Sequence, residues 1–579
     1  MRRLGRFLVR FFAVIGLLTL AALAFGLWAV VQIADKVEPA LPKRLVLTLD
    51  LDGKFHEGSG GDPFARLAGA KDYPLRRAVE AIDHAAGDAR VTALFATLGH
   101  SSLGLANAQE IRDAVGRFRA AGKPAVVFAE TMGEFGTGTL DCYLASAFGQ
   151  VWLQPSGDVG LTGLVVESPF VKGTLDLLGI KPQFAGRHEF KSAIEMFTET
   201  GFSEPHRQNL GQLLDSWTLQ IVDGIAAGRR LPPDKVRALL GKGPFLASEA
   251  LSAGLVDHVG YRDAALGTAG DAKEVDILDY WDSARPKARG AKVALITGAG
   301  PIHRGESDHG FGASEDFGSE TVAKAFRDAI LDKDVKAILF RVDSPGGSYT
   351  ASDTVWNEVR RARAAGKPVV VSMGNIAASG GYFVAMGADR VIAQPGTITG
   401  SIGVFAGKMV LKDFWPKLGI SWDAMHRGDN ATMWSANTPF TPQVWERMNA
   451  LLDRIYADFT GKASAARGIP AERMDQLARG RIWSGADAKA AGLVDRLGGW
   501  HEAGVAVRET ANLPPEAALN LVTFPRPSKP LELLAEAFSG GPAAEIRVLA
   551  RAVRLLEPLL PLVEQRGDAL LWQPPMVVR

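Results

Sequence analysis

Ala121-Gly122-Lys123-Pro124-Ala125-Val126-Val127-Phe128 recurs as Ala365-Gly366-Lys367-Pro368-Val369-Val370-Val371, a tight charged turn that enters a solid apolar run. Gly254-Leu255-Val256-Asp257 recurs as Gly492-Leu493-Val494-Asp495, so a repeat of about 240 residues spans most of the 579-residue chain. Within each copy, apolar runs alternate with helix-length segments. Leu45–Leu49, Val91–Phe95 and Val126–Phe128 read as strands in the first; Val293–Ile296, Val335–Phe340 and Val369–Val371 do so in the second. Strands that are apolar throughout are buried on both faces, which predicts two α/β domains, each built on a parallel sheet. Leu210, Leu213, Leu214 and Trp217, and in the second copy Met448, Leu451, Leu452 and Ile455, stand three and four apart, as on the buried face of a helix.

A chain of this length exceeds one core. The repeat predicts a first domain over 45–290 and a second over 291–525, joined near Asp282–Lys292, and the isolated second domain is expected to fold. Residues 1–10 form a basic start with Arg2, Arg3, Arg6 and Arg10, and 11–34 hold an apolar run from Phe11 to Ile33. That run is long enough for a ~30 Å hydrocarbon layer and exceeds the roughly 7–15 apolar residues of a cleaved secretory signal. A single-pass transmembrane anchor is expected, with the arginines cytoplasmic and the bulk of the chain across the membrane. Residues 526–579 have no counterpart in the repeat. Between Ala543 and Val563, Ile546, Leu549, Val553 and Leu556 share one face, an amphipathic tail suited to packing on protein or lying on a membrane.

The net charge of +1 gives no reason to expect nucleic acid as a partner. A lone cysteine, Cys142, excludes an intrachain disulfide and a Cys-rich zinc site. No His/Cys/Asp cluster has ligand spacing and no phosphate loop precedes a helix, so neither metal nor cofactor is expected.

Features shared by the copies belong to architecture; features of one copy alone are candidates for chemistry. The second copy has Asp343-Ser344-Pro345-Gly346-Gly347 and Ala378-Ser379-Gly380-Gly381, where the first has Leu98-Gly99-His100-Ser101-Ser102 and Gly136-Thr137-Gly138-Thr139. Ser379 follows an apolar strand and a run of small residues, Gly374–Ala378, read as a turn, and precedes a helical run. A serine at a strand-to-helix turn points its hydroxyl into open space, as an acyl-transfer nucleophile requires. Ser344-Pro345-Gly346-Gly347 ends the neighbouring strand at the same sheet edge, so the N–H groups of Gly347 and Gly380 are candidates for an oxyanion hole. The alternative for both motifs is tight packing at ordinary turns.

The second copy offers no histidine at an equivalent edge. The first offers His100, and Lys191 within Phe190-Lys191-Ser192-Ala193, whose register in the second copy reads Asn430-Ala431-Thr432-Met433. Phe190, Ala193, Ile194, Met196 and Phe197 are apolar neighbours that would desolvate the amine and make it a usable base. A surface lysine paired with Glu195 is the competing reading.

Taken together, Ser-Pro-Gly-Gly, Ala-Ala-Ser-Gly-Gly-Tyr, Thr399-Gly400-Ser401-Ile402-Gly403 and Lys191-Ser192-Ala193 in the preceding repeat resemble the long, two-domain form of signal peptide peptidase A over about residues 10–525. The resemblance implies a tandem pair of domains similar to crotonase and Clp protease. It also implies a serine endopeptidase with a Ser–Lys dyad, matching Ser379 and Lys191, and Ser401 as a residue that orients the lysine. By the same resemblance the protein would be a homotetramer in the bacterial inner membrane with periplasmic catalytic domains, and its substrates would be signal-peptide remnants and other apolar peptides. Two other classes share parts of this pattern: an acyl-CoA enzyme of the same fold, and a non-catalytic membrane scaffold, which an exposed Lys191 far from Ser379 would favour.

Overall fold

The computed structural model describes residues 41–58, 72–285, 289–307, 316–525, 570–572 and 577–578. The Phe11–Ile33 run and the Ala543–Val563 stretch lie outside them. Among the described residues no helix is long and apolar enough to cross a membrane.

Three sheets position the site. The first has strands β1 (Leu45–Asp50), β2 (Val91–Leu98), β3 (Ala125–Ala129), β4 (Gln150–Leu153), β6 (His258–Val259) and β7 (Lys273–Asp276), in the order β6-β4-β3-β2-β1-β7 and parallel throughout. Strand β5 (Lys181–Gly186) leaves this half for another sheet, described below.

The second sheet has β8 (Ala291–Ala299), β11 (Val335–Ser344), β13 (Val369–Ala378), β15 (Ile398–Gly400), β17 (Ile482–Ser484) and β19 (Leu519–Phe524), in the order β17-β15-β13-β11-β8-β19, parallel but for the antiparallel β15–β17 pair. Off this path, β14 (Arg390–Ala393) pairs with β13, and β18 (Arg496–Leu497) with β14. Even the irregularity is copied: the β1–β2 register shifts at Leu45/Val46 and the β8–β11 register at Lys292/Val293.

The shared motifs are structural in both copies. Lys123 donates to the carbonyls of Ala85 and Asp88, and Lys367 to those of Asp332 and Val335, closing a loop against a strand start. Asp257 takes Arg229 and the Val151 N–H, while Asp495 takes Arg467 and the Val391 N–H. Both arginines end a 26-residue helix, α3 (Glu204–Arg229) and α7 (Pro442–Arg467), so each ion pair locks a long helix to its sheet.

The halves do not have separate cores. Successive side chains of a strand face opposite ways, and the second sheet divides accordingly. Ala294, Ile296, Ile338 and Phe340 belong to that half's own core. Val293, Leu295, Ala337 and Leu339 are continuous with the core of the first half, through α2 (Leu105–Ala120) and α8 (Trp500–Thr510). Charges cross the same boundary. Arg341 on β11 is fully buried, takes both oxygens of Glu57 at 2.7 and 2.9 Å, and lies 2.7 Å from Glu110 on α2. Burial holds Glu110 up at about 7 even beside that guanidinium. The expectation that the isolated second domain folds is corrected here: alone, that half would expose an apolar sheet face and leave Arg341 without its two glutamates.

Candidate active site

A third sheet is built across the boundary. It contains β9 (Ile302–His303), β10 (Phe317–Gly318), β12 (Gly346–Ser348), β16 (Phe405–Val410) and β20 (Leu570–Trp572) together with β5, in the order β10-β9-β12-β20-β16-β5. β5 runs antiparallel to β16 from Gly186↔Phe405 to Lys181↔Val410. The chain after β5 is held further by Arg187 N–H on the Val404 carbonyl and Phe190 N–H on the Arg479 carbonyl. Asn209 of α3 exchanges two 2.9 Å hydrogen bonds with the Ile482 backbone. A segment of the first half is thereby laid against the second, and Lys191 sits on it.

Lys191 is 3% exposed, and Ser379 and Ser401 are fully buried. Lys191 Nζ lies 2.8 Å from Ser379 Oγ, 2.9 Å from Ser401 Oγ and 3.2 Å from the Ser401 carbonyl oxygen. Burial lowers the amine to about 7. Glu195, the competing partner, instead accepts from Ser203 and pairs with His206, so the surface-lysine reading fails.

Ser379 caps α6 (Gly380–Ala385) with φ 55° and ψ −112°, a conformation costly for any residue with a Cβ. Its N–H donates to the Gly400 carbonyl at 2.8 Å, which fixes the strained turn. The turn read over Gly374–Ala378 is strand instead: β13 continues to Ala378 because β15 supplies a new partner, with Ile376–Ala378 opposite Ile398–Gly400. Gly346 and Gly347, for which an ordinary turn was the alternative, form the short strand β12.

Gly380 opens a helix, so its N–H has no intrahelical acceptor. A Cβ placed on Gly380 would stand 3.1 Å from the Gly347 nitrogen, so the two candidate oxyanion donors are neighbours. Gly346 has φ 98°, and a Cβ on Gly347 would collide with the Ile302 carbonyl oxygen; both positions need glycine.

His100 does not join this group. Its Nδ1 is 3.5 Å from Asp141 at the corresponding edge of the first sheet, where Thr139 Oγ1 is tied to the Gly163 carbonyl. Gly480 escaped the sequence reading. With φ 84°, it approaches so closely that a Cβ there would stand 2.6 Å from Lys191 Cα. Its neighbour Arg481 lies over the Phe190 ring at 3.9 Å and accepts the Ser401 N–H at its carbonyl. Only Gly403, whose Cβ would meet Lys191 Cδ at 3.3 Å, lay within a quoted motif.

Among the described residues no cluster of His, Cys, Asp or Glu is arranged to hold a metal ion. Fold and geometry together define a class: an α/β serine hydrolase with an amine beside the serine instead of an imidazole.

Comparison with known proteins narrows the class. The model of peptidase family S49 matches residues 117–276 and 361–514, once in each half. Protease 4 of Salmonella typhi is 30% identical over 524 residues, covering 85% of this chain and 82% of that one. Protease 4 of Haemophilus influenzae is 31% identical, covering 81% and 79%. The chloroplastic serine protease SPPA of Arabidopsis thaliana is 30% identical, covering 77% and 67%. The chain belongs to peptidase family S49 and is a serine peptidase.

Proposed function

We propose that Ser379 is the nucleophile, Lys191 its general base, Ser401 the residue that orients the amine, and the N–H groups of Gly347 and Gly380 the oxyanion hole. The observation that carries this is the set of three oxygens around Lys191 Nζ. A neutral amine has two hydrogens and one lone pair. With the hydrogens donated to the Ser401 carbonyl and hydroxyl oxygens, the lone pair is left facing the Ser379 hydroxyl. The amine takes the Ser379 proton as Oγ bonds to a peptide carbonyl carbon, and the carbonyl oxygen takes the negative charge between the two glycine N–H groups. The lysine then returns the proton to the leaving amine, and water repeats the sequence on the acyl-enzyme.

The substrates we assign are cleaved signal peptides and other short apolar peptides, met at a bacterial inner membrane by an enzyme anchored through residues 11–34, with its catalytic domains periplasmic and assembled as a homotetramer. The apolar run with its one-sided arginines supports the anchor. Tethering raises the effective concentration of membrane-borne peptides. A serine-directed fluorophosphonate should label Ser379 in the full-length protein and fail on Lys191→Ala; labelling elsewhere, or equal labelling of both proteins, would remove the assignment.

A further inference from the structure

Four consecutive side chains ahead of Lys191 each touch the second half. Arg187 donates to Asp453 and to the Asn449 carbonyl, both on α7. The His188 and Tyr456 rings stand 4.4 Å apart. Glu189 meets the Arg479 guanidinium with both oxygens, at 3.0 and 3.1 Å. Phe190 lies under Arg481 and donates its N–H to the Arg479 carbonyl.

These contacts close into a circuit around Arg479. Its N–H donates to Tyr456 Oη at 3.2 Å, Tyr456 Oη donates to Asp475 at 2.9 Å, and Asp475 lies 3.6 Å from the Arg479 guanidinium. Arg479 thus meets the arm three times: Glu189 by its side chain, Phe190 by its carbonyl, and His188 through Tyr456. A lone exposed ion pair contributes little, but members of a network hold one another in place. The circuit also works against strain. His188 and Arg479 have φ 65° and 55°, left-handed values that a residue with a Cβ keeps only where its surroundings enforce them. Burial alone lowers the Lys191 amine; Glu189, Arg479 and Arg481 do not act on it by charge. What the circuit governs is how firmly the amine is seated.

We propose that Glu189 and Arg479 are positioning residues for the reaction: their ion pair latches the arm to the second half and keeps Lys191 within reach of Ser379 and Ser401. This rests on the dyad reading for its consequence, but not for the contact itself.

The test uses the full-length chain in detergent. Arg479→Asn removes the guanidinium, and asparagine tolerates the left-handed backbone, so the carbonyl that receives Phe190 stays in place. Glu189→Gln removes the charge on the other side. Each should lower kcat about tenfold at pH 7, short of the roughly 10² that a 1 Å misplacement can cost, with KM unchanged. The double variant should be no worse than either single, and Arg479→Lys, which keeps a cation, should recover most of the loss. The inflection of kcat/KM, set near 7 by Lys191, should move upward in Glu189→Gln and Arg479→Asn, because an arm that lifts lets the amine take its proton in water. A loss equal at every pH would make both residues ordinary structure, and an unchanged kcat would remove the latch. Amine modification separates this from the peptidase assignment. In the inactive Ser379→Ala chain, Lys191 should react faster with a water-soluble acylating reagent once Glu189→Gln is added. Equal rates defeat the latch whatever the enzyme cleaves.

Discussion

Lys191 and Ser379 stand 188 positions apart in sequence and 2.8 Å apart in space, within one chain. Neither half has both groups, so the candidate dyad exists only through the pairing of β5 with β16. Ser379→Ala and Lys191→Ala should each cost at least about 10³-fold in kcat, and the double variant should be little worse, since members of one catalytic unit are not additive. Additive losses measured with one peptide substrate would separate their roles.

Activity should follow the deprotonated amine. With Lys191 at about 7, kcat/KM should drop tenfold for each pH unit below that value and level off above it. A profile still rising steeply at pH 9 would mean an amine that burial has not depressed.

The same amine taxes the fold. Its native value lies below the unfolded 10.5, so between about 7 and 10.5 the unfolded chain holds a proton that the native chain lacks, and native stability rises with pH across that window. Lys191→Met should therefore raise Tm most at or below pH 7, and the gain should shrink toward pH 10.5. A gain independent of pH would point to packing instead.

Gly480→Ala tests the clasp on the lysine. A left-handed non-glycine residue costs about 1–3 kcal/mol, and its Cβ would push on the Lys191 backbone. Peptidase activity should fall by more than the loss of folded protein, with both measured on the same sample by circular dichroism and turnover.

Arg341→Met should destabilise the whole protein by about 3–5 kcal/mol in denaturant titration, because it leaves Glu57 and Glu110 buried against each other. The loss should be smaller at pH 5 than at pH 8, because Glu110, held up at about 7 by burial, is protonated at the lower pH and leaves one buried charge fewer. Unfolding of one half only would contradict the shared core.

Much of this was legible in the residues. Unbroken apolar runs identified the central strands because both faces are covered, and the repeated Lys-Pro turns and Leu-Val-Asp motifs stood out because each repeats one structural contact. Ser379 and Lys191 emerged from asymmetry between the copies. What stayed hidden depends on contacts far apart in sequence. Lys181–Gly186, with a proline and no alternation, carries no strand signal until β16 offers an edge. Val293 and Leu295 look like any core residues, and nothing local says that their core belongs to the other half. Gly480 reads as an ordinary glycine unless Lys191 is known to lie against it.

The hybrid sheet also sets a clock on biosynthesis. At about 5–20 residues per second, some 11–44 s separate the synthesis of Lys191 from that of Val410, the last residue of β16. Throughout that interval the nascent chain carries a lysine arm with no β16 to receive it, and afterwards a serine with no amine beside it until the two strands pair. Until the two strands pair, neither side chain can act on the unfinished chain as half of the proposed dyad.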